Sequence, residues 1–197
     1  NKTFVGQDGP QTNSPNVSNT GFYIRKFISE ASGYTLRNYA ENWWPWFRLG
    51  EIYLNAAEAA FELNDEPTAL PYINRLRQRA GFPANSLTSL TIEKIQNERR
   101  VELAFEDHRY FDMKRWRIAD ITWNGNIDND KAIVYGLYPY RIAVAKPGTQ
   151  DQDKYIFVKT RSERFKVART FQQSNYYSFI ADDVINNNPT IVKNPFQ

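Results

Sequence analysis

Three glutamates at four-residue steps, Glu98, Glu102 and Glu106, are the first residues of this 197-residue sequence whose spacing could support chemistry. On a helix this spacing puts the side chains on one side with Cβ atoms ~5–6 Å apart. A retaining glycosidase holds its two carboxyls at about 5–5.5 Å, so the comparison has to be made. It fails on direction, because a catalytic pair flanks its substrate from opposite sides of a cleft whereas neighbours on one helix point the same way. Arg99, Arg100 and Arg109 also lie within pairing reach, which would keep the carboxylates ionised and remove the proton that a general acid must donate. The glutamates therefore read as ion-pair partners and the chain as a non-enzyme. His108 is the only histidine, so a His-x-x-x-His zinc site cannot be assembled and a capping or packing role is expected. Asp128 and Asp130 lack the further ligands and the glycine of a calcium loop and read as a solvated turn. No Gly-rich phosphate loop or nucleophile elbow occurs, so neither a metal nor another cofactor is expected.

Aromatic residues offer a different chemistry. Trp43, Trp44 and Trp46 crowd together, with Tyr34 and Tyr39 upstream and Arg37, Asn38 and Asn42 between them. Indole and phenol rings cover the apolar faces of sugar rings while such polar neighbours take the hydroxyls. Tyr34, Arg37, Trp43 and Trp44 are the candidate ligand contacts. The same rings could equally anchor the following helix against another part of the protein.

Composition narrows the field. Lys and Arg number 25 against 22 Asp and Glu, a formal charge of +3, and the basic residues between Arg75 and Arg117 alternate with acids. Intrachain pairing accounts for them, so nucleic acid is not an expected partner. Cysteine is absent, which removes disulfides and thiolate chemistry without excluding an oxidising compartment. No apolar run approaches the ~20 residues that would span a bilayer as a helix.

These residues need elements to position them. The first twenty residues are rich in Gly, Pro, Asn, Ser and Thr and read as loop, with Phe22–Ile28 as a short extended stretch. Between Phe47 and Leu63 the apolar positions Leu49, Ile52, Tyr53, Ala56, Ala59, Ala60 and Leu63 recur at three- and four-residue steps, predicting a helix that buries that face. Asn64 and Asp65 break it. A second helix, starting near Pro67 or Thr68 so that Pro71 is harmless, carries Ala69, Ile73, Leu76 and Ala80 and stops at Gly81. Thr91 is placed to cap a third helix running to about Glu106, and a fourth is expected from Arg109 to Ala119. Beyond Asp120, Ala132–Leu137 and Tyr155–Val158 read as short strands, and the Asn- and Pro-rich tail from Asn186 as extended chain.

Certain of these stretches resemble the SusD/RagB family. Arg48 and Glu51 followed by Tyr53, Leu54, Asn55, Ala57, Glu58 and Ala59 match its signature helix. Asn74, Arg77, Arg79, Ala80 and Gly81 match the end of its next helix. Glu98, Arg99, Arg100, Glu102, Leu103, Phe105 and Glu106, then His108 to Asp112, Arg115 and Trp116, match its most specific motif. Asn188, Pro189, Asn194 and Pro195 match its ending. Asp107 stands where the family commonly has Gly, a mild change because Asp tolerates left-handed backbone.

The resemblance implies a mainly α fold of tetratricopeptide-like helix pairs with a small β-hairpin region and long loops. It divides the chain into a loop-rich ligand-side segment (1–45), a helix pair (46–81), the signature helices (91–119), and a hairpin, loops and tail (120–197). It also implies a C-terminal portion of a longer protein, lipid-anchored in the outer membrane through a part outside this chain. That protein would capture oligosaccharides at the cell surface and deliver them to a SusC-like TonB-dependent transporter. Peptide-binding members of the family and a tetratricopeptide-type interaction module are the alternatives. Arg48, Glu51, Glu98, Arg99, Glu102, Arg109 and Trp116 form the structural signature, and the charged members are expected to make partly buried ion pairs.

Overall fold

The computed structural model describes residues 18, 20, 22, 24–28, 44–142, 148–162, 165–188 and 190–196. It is mainly helical, with one antiparallel hairpin, and divides into two compact units: Arg25–Asp112, and Asn1–Ile24 with Met113–Gln197.

In the first unit, α1 (Leu49–Glu62) and α2 (Glu66–Arg79) form a helix pair closed by a turn in which Asn64 adopts φ +60. The face that α1 buries is not the one its apolar periodicity suggests. Gly50, Leu54, Ala57 and Glu58 are buried, whereas Leu49 (60% exposed), Ile52 (48%) and Leu63 (79%) face outward. Of the expected face, Tyr53 and Ala60 still pack against the core. Apolar residues surround much of α1, and such a helix does not encode its own core side; α2 and α3 choose it.

Helix α2 begins one residue before Pro67, with the Asp65 carboxylate accepting the Thr68 N–H at 3.1 Å. Pro71 thus lies inside the helix, beyond the first-turn positions where its missing N–H costs nothing. Pro71 and Pro67 are both exposed, so water can reach the carbonyl of Pro67 that lacks its donor. Gly81 stops the helix at φ +96, with Phe82 N–H closing on the Arg77 carbonyl at 3.0 Å. Such a turn suits glycine because it has no Cβ to clash there.

Helix α3 (Ile92–Glu102) starts at Thr91, whose hydroxyl accepts the Lys94 N–H at 3.3 Å. It ends four residues earlier than expected, in a turn with Phe105 at φ +65 and Asp107 at φ +61. Leu54, Ala57, Ala69, Ile73, Leu76, Leu90, Ile95 and Leu103 make the core of this unit. Asn74 stitches the α2–α3 connection to it: its Nδ2 donates to the Leu87 carbonyl and its Oδ1 accepts the Leu87 N–H, both at 2.9 Å. Residues 22 and 24–28 form no strand; Phe27 is left-handed at φ 64 and Ile28 N–H bonds the Arg25 carbonyl, making a turn.

The expected helix over 109–119 is two, α4 (His108–Arg115) and α5 (Ala119–Thr122), broken at Arg117, which has φ +56. In the second unit Met113, Ala119 and Phe171 form a small core, flanked by Ile118, Trp123 and Tyr176. The Tyr176 hydroxyl donates to Asp120 Oδ1 at 2.6 Å and accepts the Ala119 N–H at 2.9 Å.

Strands β1 (Tyr135–Arg141) and β2 (Tyr155–Arg161) pair antiparallel with Tyr138 opposite Val158. Strand β2 starts at Tyr155 as expected and both strands run further than the apolar runs suggest, but β1 starts later: Ala132 and Ile133 are buried and precede it. Leu137 donates its N–H to the Thr20 carbonyl at 3.0 Å, away from β2. Pairs alternate along an antiparallel ladder, so Pro139, opposite Phe157, also occupies a position whose N–H would point outward, and its lack of one removes no ladder bond. Helix α6 (Asp182–Asn187) takes in the first two residues of the expected extended tail, and the described residues beyond it form no helix or strand.

Candidate functional site

Of the charged signature residues, Arg48 and Glu102 meet at the C-terminal turn of α3, together with Lys26 and Glu106. Arg48, just before α1, donates from Nε to Glu106 Oε2 at 2.8 Å, from Nη1 to Glu102 Oε1 at 2.5 Å and from Nη2 to the Glu102 carbonyl at 2.6 Å. Lys26 donates to the carbonyls of Glu102 (3.0 Å) and Ala104 (2.9 Å) and to the Glu106 carboxylate. A helix ends with carbonyls that lack an internal donor and with a partial negative charge; two cations answer both here. Gly50 makes this approach possible, since a Cβ there would lie 2.9 Å from Glu102 Oε1.

Burial alone would raise the Glu106 carboxyl, but the bonds from Arg48 and Lys26 outweigh it and hold its pKa below the ordinary glutamate value. The Glu106 carboxylate, with burial opposing and Glu102 assisting, pushes the Arg48 guanidinium well above its usual value. Such a glutamate has no proton to give near neutral pH.

The acid partners differ from those that local spacing suggests. Glu98 pairs with Arg77 of α2, and Glu102 with Arg48 and with Arg79 at 2.7 Å. Glu106 does not share the α3 face, because the helix has already ended; the turn brings it back beside Glu102 through their common partner Arg48. Arg99 is 4% exposed and bonds Asp112 Oδ2 at 3.0 Å and Asn55 Oδ1 at 2.6 Å, tying α3 to α4 and α1. Arg109 joins no ion pair among the described residues; burial, followed by the neighbouring Arg100, lowers its pKa, against a weaker pull from Asp112. Glu51 faces His108 Nε2 at 3.6 Å, so the histidine joins α4 to α1. Trp116 packs under the Arg115 guanidinium, 4.9 Å from the ring centre.

Of the candidate ligand contacts, Tyr34, Arg37 and Trp43 lie outside the described residues. Trp44 is half-exposed and tilts against Phe27 with ring centres 4.9 Å apart. Trp46 (88% exposed) and Phe47 follow it on the surface. Asp128 and Asp130 meet Arg161 at 3.4 Å and Lys159 at 2.6 Å on β2. No group of three metal-ligating side chains occurs among the described residues, and no described helix is long and apolar enough to cross a membrane.

A profile of the SusD family matches residues 1–196. The chain belongs to the SusD family. SusD-like protein P25 of Formosa agariphila is 43% identical over 79 residues, covering 36% of this chain and 15% of that protein. SusD-like protein P2 of the same organism is 34% identical over 117 residues, covering 53% and 23%. The crystal structure of a SusD-like protein from Bacteroides fragilis superposes with TM-score 0.63 at 27% identity, covering 99% of this chain and 34% of the other. This SusD-family chain thus spans less than a quarter of those curated relatives and about a third of the solved structure.

Within the SusD-family motif, Arg77, Arg79 and Asp112 are recognisable by position, but only the fold reveals what each one holds. Lys26 carries no such signal. It reaches Glu102 across 76 residues of chain, and no local spacing foretells that contact.

Proposed function

We propose that this chain is part of a nutrient-binding receptor that captures oligosaccharides at the cell surface and hands them to a SusC-like TonB-dependent transporter. Membership of the SusD family across residues 1–196 carries the reading. Members of this family bind rather than transform their ligands, and the salt-bridged carboxylates of α3 fit that role. The receptor would sit in the outer membrane on a lipid anchor contributed by sequence outside this chain. The exposed indoles of Trp44 and Trp46 support saccharide contact, since a flat amphipathic ring packs on the apolar face of a sugar.

Calorimetric titration of the chain with neutral oligosaccharides and with short peptides tests the reading. A saccharide should bind, and Trp44→Ala should weaken it by about tenfold, the loss expected of one well-packed ring. Binding of peptides alone would move the ligand to the peptide-binding alternative. The transporter partner is tested separately, by co-purification of an outer-membrane barrel with the tagged receptor.

A further inference from the structure

A cavity of about 510 Å³ opens beside the C-terminal turn of α3, and its lining includes Lys26, Arg48, Arg79, Val101, Glu102 and Phe105. This is within the range of ~300–1,000 Å³ typical of small-molecule sites. The cluster is unbalanced in charge: Lys26, Arg48 and Arg79 share the two carboxylates Glu102 and Glu106, leaving one positive charge over.

The hydrogen bonds show where that excess is available. Lys26 commits its three donors to Glu102, Ala104 and Glu106, and Arg48 uses all three of its nitrogens on Glu102 and Glu106. Arg79 gives a single bond, from Nη2 to Glu102 Oε1, and its side chain is 64% exposed. A guanidinium carries five donors in a planar fork, so most of the Arg79 fork remains for a ligand. Beside it stand Val101 and Phe105, both large, apolar and mostly exposed. Phe105 is held at φ +65 by the turn that ends α3, a backbone conformation unfavourable to an L-residue.

We propose that this cavity is a subsite for a negatively charged sugar unit, with Arg79 taking the carboxylate or sulfate and Phe105 and Val101 covering the apolar face of the ring. The proposal rests on the nutrient-binding reading and narrows its substrate to acidic saccharides. Lys26 and Arg48 are positioning residues that fix the turn carrying Phe105.

The test titrates the chain with trigalacturonate, with a galactose 6-sulfate trisaccharide and with neutral maltotriose. At least one acidic ligand should bind about tenfold more tightly than maltotriose, as a charge-assisted bidentate contact allows. The preference should shrink with added salt. Whichever acidic ligand binds tighter identifies the anion. Arg79→Met, checked for folding by circular dichroism, should abolish the preference. Phe105→Gly relieves the left-handed backbone, so it should fold, yet it should weaken the acidic ligand by several-fold through loss of ring contact. Equal affinity for acidic and neutral sugars, or a preference that survives Arg79→Met, overturns the subsite and leaves the receptor reading intact. Failure of every saccharide to bind overturns both.

Discussion

Replacing Arg99 with alanine isolates the most deeply buried ion pair among the described residues of the first unit. The Arg99 and Asp112 side chains are only 4% and 7% exposed, and the guanidinium also serves Asn55. Deleting it leaves the Asp112 carboxylate in a site that water hardly reaches, and breaking such a pair from one side costs ~3–5 kcal/mol. For a chain of this size each kcal/mol moves the melting temperature by about 2–4 °C, so Arg99→Ala should melt roughly 6–20 °C below the parent. Urea unfolding followed at 222 nm reads the same loss as a shift in midpoint at constant slope. The double variant Arg99→Met/Asp112→Leu should lose less than the single, because it removes the buried carboxylate along with its guanidinium partner. A single-variant loss under about 1 kcal/mol, the value of an exposed pair, refutes the buried-pair argument.

Further outcomes follow from the same geometry. Gly50→Ala should destabilise by about 1–3 kcal/mol through crowding, since its Cβ would meet Glu102 and Arg48; a gain near the ~1 kcal/mol of helix propensity would show that the approach is not tight. Glu106 titrates lower in the folded state than in the unfolded chain, so its contribution is complete above the ordinary value of 4.5 and is lost as pH falls through its folded pKa. Urea midpoints measured down that range should fall, and more steeply for the parent than for Glu106→Gln; parallel curves would contradict the assignment. Asn74→Ala removes both bonds to Leu87 and should cost about 2 kcal/mol, with faster amide exchange at Leu87 as the check.

Features governed by a few adjacent residues were readable in the sequence. Thr91 caps α3, Gly81 ends α2, and Asp107 takes the left-handed backbone that its replacement of Gly required. Each depends on local stereochemistry that a single residue can satisfy. The buried face of α1 was not readable, because residues such as Leu49 and Ile52 compete with Leu54 and only tertiary packing decides between them. The same limit applies to the charged residues: Glu98, Glu102 and Glu106 suggested neighbours in sequence, yet their partners Arg77, Arg79, Arg48 and Lys26 come from other elements. Of the four candidate ligand contacts only Trp44 falls among the described residues, and its exposure is compatible with either role that its sequence context allows.

The two edges of the hairpin differ in what they offer another strand. Along β1 the outward N–H of Leu137 is taken by Thr20, and Pro139 has none to offer. A third strand laid there would find ladder partners only near Tyr135 and Arg141. Along β2 the backbone groups of Tyr155, Phe157 and Lys159 point away from β1. Strand addition between copies could therefore join β2 to β2, and each resulting sheet would then be bounded on both sides by β1. Pairing through β2 alone would stop at four strands, so the exposed Ile156, Phe157 and Val158 favour a pair of molecules over a growing sheet.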